Sequence, residues 1–259
     1  MPAIKRYNVG DVVLPGDLID VQELNTWQTH TLKRIVLGPG IVDNCSKNLN
    51  QPLSTALQAR AVKCGVVRSR TTKDGAILIW LDTHSKRYIP VAGDRVIGVI
   101  TQRLGDGWRV DIGSAEQPAL HFLSFEGATK KNRPNLSVGD LIYCQLSSAH
   151  RDMEPEAVCI DPITNKASGL GLLPPDGFLF TVSLHVCRKI LSPSCELLQL
   201  LGEHIRYEST IGLNGRILIK ANGVNEMIAV SNAITACEYM SAEDIKNMVT
   251  AVVDTLRGF

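Results

Sequence analysis

Five short runs with apolar residues at alternate positions follow one another within about 75 residues, at 88–100, 108–112, 119–124, 140–149 and 156–160. A period of two is the period of a strand. In the second run it puts Trp108, Val110 and Ile112 on one face and Arg109 and Asp111 on the other, so the first set is predicted to be core and the second exposed. Five strands this short are too few for a wide channel and suit a small closed barrel of OB type. Leu104-Gly105-Asp106-Gly107 supplies the turn between the first two runs.

The flanking segments read differently from each other. Ahead of the barrel, Val12, Val13 and Leu14 run into Pro15-Gly16-Asp17, and 65–70 faces 76–80 across Lys73-Asp74-Gly75. Asp-Gly between β-prone runs signals a hairpin, because glycine reaches positive φ without steric cost. Gly-Asp stands just before an apolar strand at Gly10-Asp11, Gly93-Asp94 and Gly139-Asp140, and reads as a tight turn with a structural role. After Pro162 a glycine-rich and then proline-stiffened stretch, 165–177, reads as a connector. Beyond it come a strand at 178–183, helices at 184–191 and 196–204, strands at 206–211 and 216–220, and helices at 225–239 and 242–257. Ser241 is the N-cap of the last, with Asp244 at capping-box spacing. Strand, helix, helix, strand, strand, helix is the order of an RNA-binding KH module. The chain is thus expected to be a multidomain α+β protein: a β-rich domain over 1–86, an OB barrel over 87–163 and a KH-like domain over 164–259.

With 259 residues the chain is long enough to bury several cores, and 44% hydrophobic with 20% charged residues argues against wholesale disorder. The longest purely apolar run, 76–81, is far short of the ~18 residues of a membrane-spanning helix. No secretory signal opens the sequence, which predicts a reducing compartment. Seven cysteines with no C-x-x-C pair fit that address, as small buried apolar residues without a zinc site. Residues 1–90 carry 12 Lys and Arg against 7 Asp and Glu, whereas 91–163 carry 7 against 10. A uniformly basic, DNA-wrapping surface is excluded, and any nucleic-acid contact must be a local patch.

The densest short basic cluster is Lys130-Lys131-Asn132-Arg133, in the loop before the fourth barrel strand. Such a loop either neutralises phosphates, with salt-sensitive binding, or is simply a solvated surface. Arg103 and Arg109 add candidate cations, and Phe122 is either a stacking surface or core. Arg68, Arg70 and Lys73 on the first hairpin are a weaker continuation. The Gly212-Leu213-Asn214-Gly215 string has the glycine spacing of a KH clamp, but it falls between two strands and reads better as a hairpin turn. No P-loop, H-E-x-x-H, G-x-S-x-G or dinucleotide fingerprint is present in the sequence, and no cofactor or metal is expected.

Four strings carry a family resemblance: 125–134 (FEGATKKNRP), 138–143 (VGDLIY), 152–156 (DMEPE) and 212–216 (GLNGR). Together with the domain order they resemble the non-catalytic S1/KH cap subunits of the eukaryotic RNA exosome, in the family of exosome component three or ribosomal RNA-processing protein forty. The resemblance implies an S1-like barrel and a subunit that is no enzyme. It implies seating on a ring of RNase PH-like subunits beside other caps, with single-stranded RNA guided to the central channel. It also implies a G-x-N-G turn (Gly212, Asn214, Gly215) packed between barrel and KH domain, no membrane or DNA partner, and residence in nucleus, nucleolus and cytoplasm. Many S1-like barrels carry an aromatic residue where this chain has Arg109. The alternative is a free-standing RNA-binding or translation-associated factor with the same domain order.

Overall fold

The computed structural model describes residues 7–20, 35–43, 58–72, 75–150, 152–161, 164 and 166–257. It divides into two compact units, Met1–His84 and Ser85–Phe259.

The first unit holds two small sheets. One orders β1 (Val12–Val13), β6 (Gly65–Thr71), β7 (Ile77–Asp82) and β3 (Ile35–Leu37); the other orders β2 (Leu18–Asp20), β5 (Gln58–Ala61) and β4 (Ile41–Asp43). The expected hairpin is present, antiparallel with Arg68 opposite Trp80. Of its turn, Lys73 and Asp74 lie outside the described residues. Inward positions of these strands, among them Val13, Ile19, Val67, Ile79 and Leu81, form one core.

The second unit begins with the barrel. Strands β8 (Arg95–Arg103), β9 (Gly107–Asp111), β10 (Ala119–His121), β11 (Leu141–Ser148) and β12 (Glu156–Val158) close because β11 and β12 pair with each other as well as with β8 and β10. Trp108, Val110 and Ile112 are buried as the alternation predicts. They pack with Ile100, Leu120, Ile142 and Leu146. Two glycines permit the close strand packing: a Cβ on Gly98 would lie 2.1 Å from Val110 Cγ1, and one on Gly107 would lie 2.1 Å from the Leu120 carbonyl oxygen.

The Gly-Asp strings are one device used four times. Gly10, Gly16, Gly93 and Gly139 take φ of 103°, 99°, 92° and 99°, a region open to glycine at little cost. Each following aspartate N–H closes the turn onto the carbonyl three residues back. At Asp11, Asp17 and Asp140 the carboxylate also accepts the N–H of that first residue. At Asp94 it accepts the Tyr88 hydroxyl instead, at 2.7 Å, which pins the segment entering the barrel.

The stretch 165–177 is not a plain connector, which corrects the sequence reading. Gly171–Leu172 form β13 and pair with β11, while Leu170 and Leu173 are buried. Apolar residues flanking the glycines outweigh the chain's local flexibility and dock it on the barrel.

After it, β14 (Phe178–Thr181), β16 (Arg216–Ala221) and β15 (Tyr207–Ile211) form an antiparallel sheet in that order. Helices α1 (Leu184–Leu191), α2 (Leu197–His204), α3 (Val224–Ala236) and α4 (Ala242–Arg257) supply the rest of its core. Residues 237–239 leave the α-helical path as a single 3-10 turn, so the helix expected over 225–239 is shorter. Lys189 Nζ caps this turn, donating to the carbonyls of Cys237, Glu238 and Met240 at 2.6, 3.2 and 2.8 Å. The Ser241–Asp244 capping box is formed in both directions. Cys144, Cys159, Cys187 and Cys237 are buried, and desolvation pushes the Cys187 and Cys237 thiols up to about 11, so they behave as apolar residues. Cys45 lies outside the described residues.

The Gly98 contact gives a direct check on barrel packing. Gly98→Ala should destabilise the chain by about 1–3 kcal/mol in denaturant unfolding. Gly105→Ala, which meets no atom within 4 Å, should change stability far less.

Candidate nucleic-acid interface

The basic cluster sits on a loop whose shape is set by its own short polar side chains. Between Thr129 and Asn132 the backbone turns: the Thr129 N–H donates to the Asn132 carbonyl, and the Thr129 hydroxyl accepts the Asn132 N–H, both at 3.0 Å. Lys130 and Lys131 therefore occupy the tip, exposed. Arg133 folds back across the loop base, its Nε 3.4 Å from the Lys130 carbonyl and its guanidinium carbon 4.5 Å from the centre of the Phe122 ring. A cation over an aromatic face is held by the ring quadrupole, and the guanidinium keeps its outer N–H donors for a second partner.

Phe122 is corrected by this geometry. The residue is 6% exposed and belongs to the barrel core, with the His121 ring against its own at 4.5 Å between ring centres. It is the seat of Arg133 and does not offer an open face to a base. The Phe122 N–H donates to the Asp106 carbonyl at 3.1 Å, tying the loop to the β8–β9 turn. Arg103, exposed, opposes Trp108 in the register and so stands at that same end of the barrel. Arg109 is the next residue on β9 after Trp108, so it points to the opposite face, where it meets Glu154 at 3.4 Å. The structure brings Arg133 and Phe122 together, ties their loop to the turn that follows Arg103, and leaves Arg109 on the outer wall. Arg68 and Arg70 are exposed on β6 of the first unit, and Lys73 lies outside the described residues.

The Gly212–Gly215 string is the turn of the β15–β16 hairpin, and the Asn214 side chain docks on backbone groups of the barrel wall from outside. Asn214 Nδ2 donates to the carbonyls of Ile97 (2.8 Å) and Ile112 (2.9 Å), and Oδ1 accepts the Ile97 N–H at 3.3 Å. The Leu213 N–H reaches the Arg95 carbonyl at 2.9 Å. Both glycines are sterically required: a Cβ on Gly212 would lie 2.4 Å from Asn214 Oδ1, and Gly215, at φ 86°, would place one 2.7 Å from the Val182 carbonyl. This geometry commits the turn to its neighbours and leaves the α1–α2 junction, Ser192 to Glu196, without a glycine pair.

Beside the turn lies a contact that the alternation pattern misses. Asp111, expected exposed, is met by Arg216, whose Nη1 donates to the Asp111 carbonyl at 2.5 Å and whose Nη2 meets the carboxylate at 2.6 Å. The Arg216 side chain is only 15% exposed. Burial alone would raise the Asp111 carboxyl. The Arg216 hydrogen bond, the Gly113 N–H and the guanidinium charge outweigh it and hold the group below its ordinary range. A period of two reports which residues face the barrel interior; it cannot report that a second module covers the outside.

The chain is similar to known proteins over most of its length. The profile of the exosome complex component RRP40 S1 domain matches residues 88–171, and a KH-domain profile matches 177–225. Exosome complex component RRP40 of Homo sapiens is 39% identical over 268 residues, covering 96% of this chain and 93% of the human protein. The Schizosaccharomyces pombe protein is 43% identical over 81% of this chain and 83% of its own length, and that of Saccharomyces cerevisiae 34% identical over 87% and 88%. A crystallised protein described as a candidate exosome complex RNA-binding protein shares the fold, with a TM-score of 0.55 and 23% identity over 66% of this chain and 98% of its own.

The basic loop makes a quantitative expectation. Lys130→Ala with Arg133→Ala should reduce the slope of log affinity against log salt for single-stranded RNA by about 1.4, read by fluorescence anisotropy on the full chain. An unchanged slope with unchanged affinity would remove the loop from the interface.

Proposed function

The chain belongs to the family of exosome complex component RRP40, and on that premise we propose that it is a non-catalytic, RNA-binding cap subunit of an RNA exosome. In this reading it sits with other caps on a ring of RNase PH-like subunits, stabilises that ring, and guides single-stranded RNA toward the central channel. Degradation from the 3′ end belongs to associated nucleases. The subunit acts in the nucleus and nucleolus and also in the cytoplasm.

The observation that carries the RNA half of the reading is the Lys130–Arg133 loop. Two lysines at the tip of a stiff turn and an arginine seated on Phe122 make a compact set of phosphate partners. Preorganised cations of this kind hold a polyanion without depending on its sequence, which suits a conduit. The hairpin turn at Gly212–Gly215 supports the other half: it ties the KH-like module to the barrel, so a ring contact made by either would orient both. A free-standing factor is not favoured, because relatives matched over more than four-fifths of their own length are named as exosome components.

A tagged chain recovered from native extract tests this, with partners quantified by mass spectrometry after a moderate-salt wash. RNase PH-like subunits and other caps in equal amounts are expected. Recovery alone, or with ribosomes in amounts that RNase abolishes, would contradict it.

A further inference from the structure

Phe122, on which Arg133 sits, is hydrogen-bonded to a residue that lines a groove on the barrel. On the outer wall of the barrel, where β10 and β12 run parallel with Ala119 opposite Glu156, a groove of about 370 Å³ opens between Leu104 and Val158. That is within the usual size of a small-ligand cleft, and its walls are mainly apolar. Ala119, Leu120, Ala157 and Val158 give the lining its apolar part. The polar residues lining the groove are Asp106, His121, Ser124, Ser147 and Glu156, and the Ser147 hydroxyl donates to the Glu156 carbonyl at 3.2 Å.

Two features tie this groove to the RNA path. The first is covalent and hydrogen-bonded continuity: Asp106 accepts the Phe122 N–H through its carbonyl, and Phe122 is the seat of Arg133. The His121 ring rests on Phe122, and its Nδ1 accepts the Leu123 N–H at 3.2 Å, which fixes the imidazole at the border between groove and loop. The second is charge. Asp106 and Glu156 are in none of the ion pairs among the described residues, and two exposed carboxylates near the proposed RNA path repel a phosphate backbone. They are compatible with RNA only if the part of the strand that reaches them is a base offering N–H donors.

Resting on the RNA-binding reading above, we propose that this groove takes one unpaired nucleobase of the bound strand and prefers guanine. A carboxylate accepts two parallel hydrogen bonds. Guanine alone presents two adjacent donors, N1–H and the 2-amino group, on its Watson–Crick edge; adenine and cytosine present one amino group beside an acceptor, and uracil one N–H between two carbonyls that a carboxylate repels. The ring then lies on the apolar part of the lining, while its own phosphates remain with Lys130, Lys131 and Arg133.

The test uses the full chain and labelled RNA octamers, all uridine or with one central guanosine, at fixed salt. The guanosine octamer should bind about tenfold tighter, the discrimination one good bidentate pair supplies. Inosine, which lacks the 2-amino group, should lose most of that gain. Asp106→Asn combined with Glu156→Gln should bring the guanosine octamer down to the uridine one. Equal binding of the two octamers, a preference that survives the double substitution, or an equal gain from adenosine or cytidine would overturn the inference. Salt-dependent binding without base preference would sink this inference alone, whereas no binding of either octamer would sink the RNA-binding reading with it.

Discussion

The amide of Asn214 is the point on which the second unit depends. It satisfies backbone groups at two places on the barrel, the Ile97 N–H and carbonyl on β8 and the Ile112 carbonyl just past β9. Buried backbone groups left without a partner cost about 1–3 kcal/mol each, so one side chain answers for a sizeable part of the junction. Everything nearby accommodates it. Gly212 has no Cβ because Asn214 occupies that space, Gly215 takes a left-handed turn, and Arg216 extends the contact to Asp111. Apolar residues from both sides, Ile97 and Leu173 with Leu218, fill the remainder. A string with the glycine spacing of an RNA clamp is thereby used to hold two modules together.

That arrangement explains a division of labour within the unit. The KH-like module has a capped, well-packed helical core and no glycine pair at its helix-to-helix junction. The barrel carries the preorganised cations, on a loop stiffened by Thr129 and seated on Phe122. In the proposed function, with the two joined through Asn214, the module would contribute orientation and the barrel contact. Such a design would suit the proposed conduit, because phosphate contacts are individually weak and independent of sequence.

Much of this was legible in the sequence, for physical reasons that differ from case to case. The alternation in Trp108-Arg109-Val110-Asp111-Ile112 gave the barrel's inner face, since a strand's period is fixed by its geometry. Ser241 with Asp244 marked the last helix, and the Gly-Asp strings marked the turns, because both depend on local backbone chemistry. What escaped depends on tertiary contact. Phe122 has the same composition as a stacking platform and is instead covered by Arg133. Asp111 has the phase of an outward position and keeps part of its exposure, but its pairing with Arg216 is invisible to that phase. Gly171–Leu172 lie in a stretch with a linker's composition and add a strand to β11. The groove beside β10 and β12 requires two strands from distant parts of the chain to run parallel, which no local pattern announces.

Hydrogen exchange on the full chain, wild type against Asn214→Ala, tests most directly whether this turn is a structural joint. In the wild type the amides of Val110 in the barrel and Ile219 in the KH-like sheet should exchange through one shared opening; in the variant both should be less protected and should separate into two openings. Unchanged protection in the variant, with RNA affinity lost, would contradict the account and make the turn an RNA grip after all.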